Sequence, residues 1–371
     1  MIGNQKESRV FGLDFMRAMA ISMVVFGHCV WIFPESNGLF HQLMVLSGFL
    51  GVEVFFVLSG FLIGKILYEL YLKEHYSIKT VFYFLKRRWF RTLPNYYLVL
   101  LINIGVGTIV GYPLYSLWKY FFFLQNLNTT MLAFFPESWS LSVEEFAYII
   151  LPLFLLLLSL IMKPKSKSLF FVFSVSVLLL VFFCAKIYYQ CTTVNTTLTQ
   201  WNTSLKAVVI YRLDSIFAGV LCSWIYLNFT SFWQKNKYIF FVLGTLIFLF
   251  QFVAIGYFRL LIESHPVLWN VFYLPLVSLA VACFLPFLSD WKEERSVWRK
   301  PIVFVSLISY SVYLLHYSVV LQLLKHFVPY DAQKPLELYG FVAAYVGITF
   351  VLSYLLYRFY EKPVMDLRDK N

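Results

Sequence analysis

The chain reads as an all-α, polytopic integral membrane bundle of about ten transmembrane helices with both termini cytoplasmic. Three observations predict this. Of its 371 residues, 60% are hydrophobic and 21% aromatic, with a mean hydropathy of +0.73, more apolar surface than one soluble core could bury. The apolar residues gather into runs of about 20, the length of helix that crosses a hydrocarbon core. The basic residues alternate from loop to loop. The net charge of +11 lies in short loops between the apolar runs, so it points to membrane topology and away from nucleic acid. Five cysteines, odd in number and without CxxC spacing, indicate neither a disulfide framework nor a zinc site.

The spans fall near 11–33, 44–68, 93–111, 139–161, 169–188, 207–228, 238–257, 267–288, 302–325 and 337–359. The first has a short basic lead, no small-residue cleavage site, and Arg17 and His28 inside it, which predicts an uncleaved helix. Loops after even-numbered spans hold Lys73, Lys79, Lys86, Arg87, Arg88 and Arg91, then Lys163, Lys165 and Lys167, then Lys235 and Lys237, then Lys292, Arg295, Arg299 and Lys300. The opposite loops hold little beyond Lys119, Lys206, Arg259 and Lys334. The positive-inside rule therefore places both termini in the cytoplasm. The aromatic stretch from Tyr112 to Glu137 reads as an interfacial helix plus loop on the outer side. Residues 1–371 are expected to form a single transmembrane domain with no soluble domain appended.

Ionisable residues inside spans are costly, roughly 2.5–3.5 kcal/mol for a charge at mid-helix, and mark functional sites by default. Arg17 and His28 are eleven positions apart, about 16 Å along one helix face. The topology sorts the others into two levels. His28, Glu53, Glu144, Glu145, Arg212 and Asp214 are expected to form an outer cluster. Arg17, Lys65, Arg88 and Arg91 lie lower and suit an anionic ligand arriving from the cytoplasm, with Arg88 and Arg91 sharing a helix face as a phosphate-matching fork. Simpler readings stand beside these. Asp14 and Arg17 suit a structural ion pair, His28 suits a helix-packing hydrogen bonder, Arg88 and Arg91 suit topology determination, Lys65 suits snorkelling, and Arg212, Asp214 and His316 suit structural roles. Ser142-x-x-Glu145 reads as a capping box, and Gly60-x-x-x-Gly64 as a close helix crossing.

Several strings are more specific. Leu13-Asp14-Phe15-Met16-Arg17-Ala18 running to His28, and Gly51-Val52-Glu53-Val54-Phe55-Phe56-Val57-Leu58-Ser59-Gly60-Phe61-Leu62-Ile63, open the series. Phe82-Tyr83 with Arg88-x-x-Arg91 and Pro94 comes next, then Ser140-Leu141-Ser142-Val143-Glu144-Glu145-Phe146 and Arg212-x-Asp214 with Gly219. Ile308-Ser309-Tyr310-Ser311-Val312-Tyr313-Leu314-Leu315-His316 and Tyr360-Glu361-Lys362-Pro363 close it. In this order, from Leu13 to Pro363, the sequence resembles the membrane acyltransferase-3 family. It departs from that family at Glu145-Phe146-Ala147-Tyr148, where Glu-Gln-Phe-Tyr is usual, and no C-terminal esterase-like domain of the kind that some members append is expected.

The resemblance implies transfer of an acyl group, usually acetyl from acetyl-CoA, to a sugar hydroxyl of a surface or secreted polysaccharide or its lipid-linked precursor. It further implies a bacterial inner membrane. Arg17, His28, Arg88 and Arg91 are the positions to which the family's activity is tied. The chemistry suits the residues. A sugar hydroxyl is a weak nucleophile and must lose its proton, a task for His28, since an imidazole titrates near 6.5. Glu53 or Glu144 is expected to fix its tautomer. Arg17 suits the thioester oxyanion or the donor arm, and Arg88, Arg91 and Lys65 the phosphates of CoA. Glu145, Arg212, Asp214 and His316 are candidates for acceptor binding. Acetyl-CoA is expected as donor substrate, a carbohydrate as acceptor, the bilayer as environment, and neither metal nor nucleic acid. Two other readings stay open. One is a transporter or flippase of a lipid-linked sugar. The other is an enzyme of the same type with another acyl donor, such as succinyl, or a small-molecule acceptor.

Overall fold

A computed structural model of the chain describes residues 9–34, 38–73, 75–194 and 197–368. The described residues form helices and turns, with no strand. In chain order the main helices are α1 (Phe11–Trp31), α2 (Leu39–Leu72), α3 (Ile78–Val110), α4 (Ser138–Met162), α5 (Lys167–Thr192), α6 (Leu213–Asn228), α7 (Lys237–Tyr257), α8 (Leu268–Asp290), α9 (Arg299–Phe327) and α10 (Pro335–Leu367). Nine of these are long and apolar enough to cross a membrane, and α6, with 16 residues, is shorter.

The shortness of α6 reflects its place. Its 16 residues span about 24 Å, less than a hydrocarbon core, yet Leu213, Ile216, Phe217 and Val220 are almost wholly enclosed by protein. A helix in the middle of the bundle need not satisfy the bilayer by itself. Against it lies α2, and the crossing is built from glycines: a Cβ placed on Gly60 would stand 1.9 Å from the Ile216 carbonyl oxygen, and one on Gly219 2.1 Å from that of Val57. Only hydrogen fits there, and the two backbones touch, as the Gly60-x-x-x-Gly64 pattern predicts. Around this pair stand α1, α5 and α8, with α9 against the other side of α1.

Two helices differ from the sequence reading in ways that matter for the site. The basic run before Pro94 is not loop: α3 starts at Ile78, where Ser77 and Thr80 form a reciprocal cap, and runs 33 residues to a left-handed Gly111. Its apolar and basic residues interleave along the helix, and Arg88 and Arg91 stand ten and thirteen residues from its start. Pro94 cannot donate to the turn before it, and two tyrosines from neighbouring helices bind carbonyls at this level. Tyr310 Oη donates to the Thr92 carbonyl at 2.9 Å and Tyr360 Oη to that of Pro94 at 3.4 Å. Asn95 and Ser311 both donate to Glu361, so the Tyr360-Glu361-Lys362-Pro363 string clamps α10 and α9 onto α3 beside Pro94.

The second difference is at α4. This helix begins at Ser138, one turn before the expected cap, so Ser142 is internal and its hydroxyl donates back to the Ser138 carbonyl at 3.4 Å. The capping box does not form. Between α3 and α4, the stretch expected as an interfacial helix contains one short helix, Trp118–Phe121, and turns.

Candidate active site

The residues of α1 set the frame. At one end Asp14 makes no ion pair with Arg17: it accepts from Arg9 at 2.7 and 2.9 Å and from Ser306 of α9 at 2.7 Å. The expected Asp14–Arg17 pair is thus replaced by a link from the N-terminal segment to α9. Arg17 is half-buried, within electrostatic reach of Arg91, Asp14, Arg9 and Arg88. Among the described residues, none of these three guanidiniums is in an ion pair, and Arg88 stacks over the Tyr148 ring at 5.6 Å. Three like charges converge here without a carboxylate at contact distance, an arrangement that favours an anion.

Glu144 and Glu145 belong to this level, not to the outer cluster where the sequence placed them. Six residues into α4, about 9 Å from its start, they meet the part of α3 that the sequence reading had assigned to a loop. Glu145 accepts from Trp89 Nε1 at 3.1 Å and Thr92 Oγ1 at 3.0 Å, so both its oxygens bind α4 to α3. Glu144 accepts from Tyr148 Oη at 3.0 Å, and that hydroxyl also meets Ser59 of α2 at 2.5 Å.

At the other end of α1 stands His28, and its partner is a second histidine. His28 Nδ1 lies 2.8 Å from the Val24 carbonyl oxygen and 3.2 Å from His316 Nε2. His316 Nδ1 in turn lies 2.8 Å from the Tyr313 carbonyl oxygen and 3.2 Å from that of Val312. Carbonyls only accept, so with both rings neutral each Nδ1 carries the hydrogen. His316 Nε2 is then a lone pair receiving the His28 Nδ1–H, and His28 Nε2 is left unprotonated. Among the described residues His28 Nε2 has no hydrogen-bond partner. The pair therefore presents one basic nitrogen, with a carbonyl and an imidazole behind it to stabilise the cation formed when it takes a proton. Tyr317 packs 4.8 Å from the His28 ring, centroid to centroid. The expected carboxylate partner of His28 is absent: Glu53 and Glu144 are both engaged elsewhere.

Glu53 is fully buried and ion-paired to Arg212, with Ser215 donating to its second oxygen at 3.4 Å. Asp214 pairs with buried Lys186 of α5. These two pairs tie α2, α5 and α6 together. Two side chains the sequence reading passed over lie near. Lys206, on the π-helical turn Asn202–Lys206, donates to Asn202 Oδ1 at 3.2 Å, and its ammonium stands over Phe49 and Trp139 at 5.3 and 5.5 Å. Burial brings its pKa down to about 8, with Glu53 opposing and nearby Arg212 adding to the drop. Glu137, the residue before α4, is 4% exposed, and burial pushes its carboxyl up to about 7 against the donors on Ser318. Neither could be found from composition: Lys206 reads as a loop base, and Glu137 as the end of an aromatic loop. Lys65 is half-buried on α2, beside the α2–α6 glycine crossing at Gly60 and Gly64 and towards the Leu72 end.

Residues 10–358 match the family described as an acyltransferase domain, that is, nearly all of the chain just described. The chain belongs to the acyltransferase-3 family. Similar proteins include O-acetyltransferase OatA of Staphylococcus aureus (strain NCTC 8325 / PS 47), 24% identical over 388 residues that cover 95% of this chain and 57% of OatA. A protein of Staphylococcus aureus (strain COL) that is named provisionally as an O-acetyltransferase is 26% identical over 385 residues, covering 95% of this chain and 56% of that protein. The chain thus spans little more than half the length of these relatives. No solved structure matches. In this acyltransferase-3 chain the motif residues divide by geometry: Arg17, Arg88 and Arg91 face one another, His28 faces His316, and Glu53, Glu145, Arg212, Asp214 and Glu361 join helices.

Proposed function

We propose that the chain is a membrane O-acetyltransferase that takes an acetyl group from acetyl-CoA on the cytoplasmic side and delivers it to a carbohydrate hydroxyl on the other side, in a bacterial inner membrane. The observation that supports this most is the division of α1. Three guanidiniums without carboxylate partners gather near one end, and a histidine with an open Nε2 stands eleven residues away, about 16 Å along the helix. A thioester donor has that polarity: anionic phosphates, a long neutral arm, and a reactive carbonyl at the tip. Arg88, Arg91 and Arg17 would hold the phosphates and the start of the arm, with the carbonyl beside His28.

In the reaction the acceptor hydroxyl attacks the thioester carbon as His28 Nε2 removes its proton. The C–S bond breaks, the ester forms, and the proton passes from the imidazolium to the departing thiolate, which leaves as free CoA. His316 and the Val24 carbonyl keep the His28 Nδ1–H in place throughout, so the nitrogen that collects the proton is always the one facing the acceptor. Positive charge on the ring is shared with groups already oriented towards it. The names of the relatives support acetyl as the acyl group, and surface polysaccharide or its lipid-linked precursor as the acceptor class remains part of the proposal.

The test is a sealed proteoliposome with labelled acetyl-CoA only on the side of Arg88 and an oligosaccharide acceptor only on the side of His28. Ester formation across the membrane that is lost in His28→Ala is the expected result. Transfer only when both substrates share one side would defeat the cross-membrane reading. Movement of the acceptor without thioester consumption would indicate a transporter.

A further inference from the structure

The second histidine stands where α9 is irregular. From His316 to Leu321 the helix widens into a π turn, a departure from regular hydrogen bonding that is frequent at functional sites. Two side chains satisfy the backbone there. His316 Nδ1 curls back to the Tyr313 carbonyl oxygen. On the other side of the turn, the backbone N–H of Ser318 donates to Glu137 Oε1 at 3.0 Å, and the Ser318 hydroxyl donates to the same oxygen. The backbone of Glu137 adds a further hold, since its carbonyl accepts from Tyr313 Oη at 3.1 Å. One residue at the start of α4 thus grips α9 on both sides of His316, at Tyr313 and at Ser318.

From this geometry we infer that Glu137 is a positioning residue: by accepting from Ser318 it holds the π turn of α9 open, so that His316 Nε2 meets His28 Nδ1 and leaves His28 Nε2 as the base. The catalytic consequence rests on the acyl-transfer reading above, but the structural assignment does not. Without an acceptor at Glu137, the Ser318 N–H would be orphaned in a buried place, and the turn would regain regular α-helical bonding. Removing one residue's worth of excess from the turn rotates the C-terminal part of α9 by about 100° and changes the backbone on which the His316 ring is anchored. Only one oxygen of Glu137 is used, and Oε2 is buried without a partner. The role therefore needs an acceptor in that position and not a charge, so glutamine should serve.

The experiment uses the full chain in lipid nanodiscs, with diethylpyrocarbonate as probe and peptide mass spectrometry to track each histidine separately. In the native chain His28 is expected to react and His316, which is fully buried, to be protected. Glu137→Gln should match native labelling. Glu137→Ala should expose His316 and lower the His28 rate by roughly tenfold, the equivalent of one lost hydrogen bond, while His41, His75, His265 and His326 report whether the rest of the chain is intact. Ser318→Ala, which removes the hydroxyl but keeps the N–H, covers the case in which Glu137→Ala fails to fold, and should fall between native and Glu137→Ala. Native labelling of both histidines in a folded Glu137→Ala chain would overturn the inference, as would a Glu137→Gln chain that behaves like Glu137→Ala. If labelling takes the expected order while no variant, nor the native chain, consumes thioester, the acyl-transfer reading fails and the positioning role stands.

Discussion

The polar groups around α6 and those between α1 and α3 use the same residue types inside the same membrane bundle, yet they are resolved in opposite ways. Around α6, Arg212 is matched by Glu53 and Lys186 by Asp214, each pair shut away from lipid and water. Between α1 and α3, Arg17, Arg88 and Arg91 approach one another half-exposed, and the neighbouring carboxylates are occupied elsewhere, Glu144 by Tyr148, Glu145 by Trp89 and Thr92, Asp14 by Arg9 and Ser306, and Glu361 by Asn95 and Ser311. A buried charge must be paired or relieved. The first region carries its counter-charges in its own sequence, and the second lacks the negative charge that an anionic ligand would bring. The difference separates structure from function where residue type does not.

The contrast is broken most sharply from the α6 side. Asp214→Asn leaves the Lys186 ammonium enclosed without a carboxylate and should cost about 3–5 kcal/mol, whereas replacing both partners by apolar residues of similar volume should recover most of it. Thermal melting in detergent measures this, and a single variant that melts like the native chain would show that the pair does not hold α5 to α6. Next is His28→Ala, expected to lower transfer by about a hundredfold to ten-thousandfold with a drop in melting temperature well below that of Asp214→Asn, because only the contacts of one ring with His316 and Tyr317 are lost and no charge is left buried. A large drop in melting temperature would place His28 with the α6 group instead.

Arg88→Gln and Arg91→Gln should each raise the KM for the donor about tenfold, the worth of a charge-assisted hydrogen bond, and leave stability unchanged or higher because a repulsion has been relieved. Lysine is not expected to rescue either, since it lacks the planar fork. If these variants instead lower the melting temperature as Asp214→Asn does, the two regions are alike and the donor site is elsewhere. The smallest effect concerns Lys206. Burial favours its neutral form, with a pKa of about 8 in place of 10.5, so between those values the unfolded chain binds more protons than the folded one. Stability should therefore rise with pH across that window, and the rise should vanish in Lys206→Met; a melting curve indifferent to pH from 8 to 10.5 would remove the argument.

Most of the framework was legible from the order of residues. Ten apolar helices, the Gly60 crossing and the eleven-residue separation of Arg17 from His28 come from periodicity and composition, because helix geometry is local. Depth was harder to read. Charges at Lys79, Lys86, Arg87, Arg88 and Arg91 look like a loop by hydropathy, but their spacing continues a helix that carries them alongside α4, and this moved Glu144 and Glu145 from the histidine level to the arginine level. Pairing was least legible. Nothing in the sequence says that Glu53 would choose Arg212, that Asp14 would reach Arg9 and Ser306, or that the partner of His28 lies 288 positions away in His316.

The sequence by itself determined a helical membrane chain with one arginine and one histidine aligned on its first helix, since the 1.5 Å rise and the cost of exposing polar groups to lipid act on each segment alone. Only the tertiary structure decided which of its charges are neutralised within the chain and which nitrogen of His28 is left basic. Those outcomes depend on where a carbonyl, a widened turn or a carboxylate from a distant helix comes to stand, to within the few ångströms over which a hydrogen bond is made or lost.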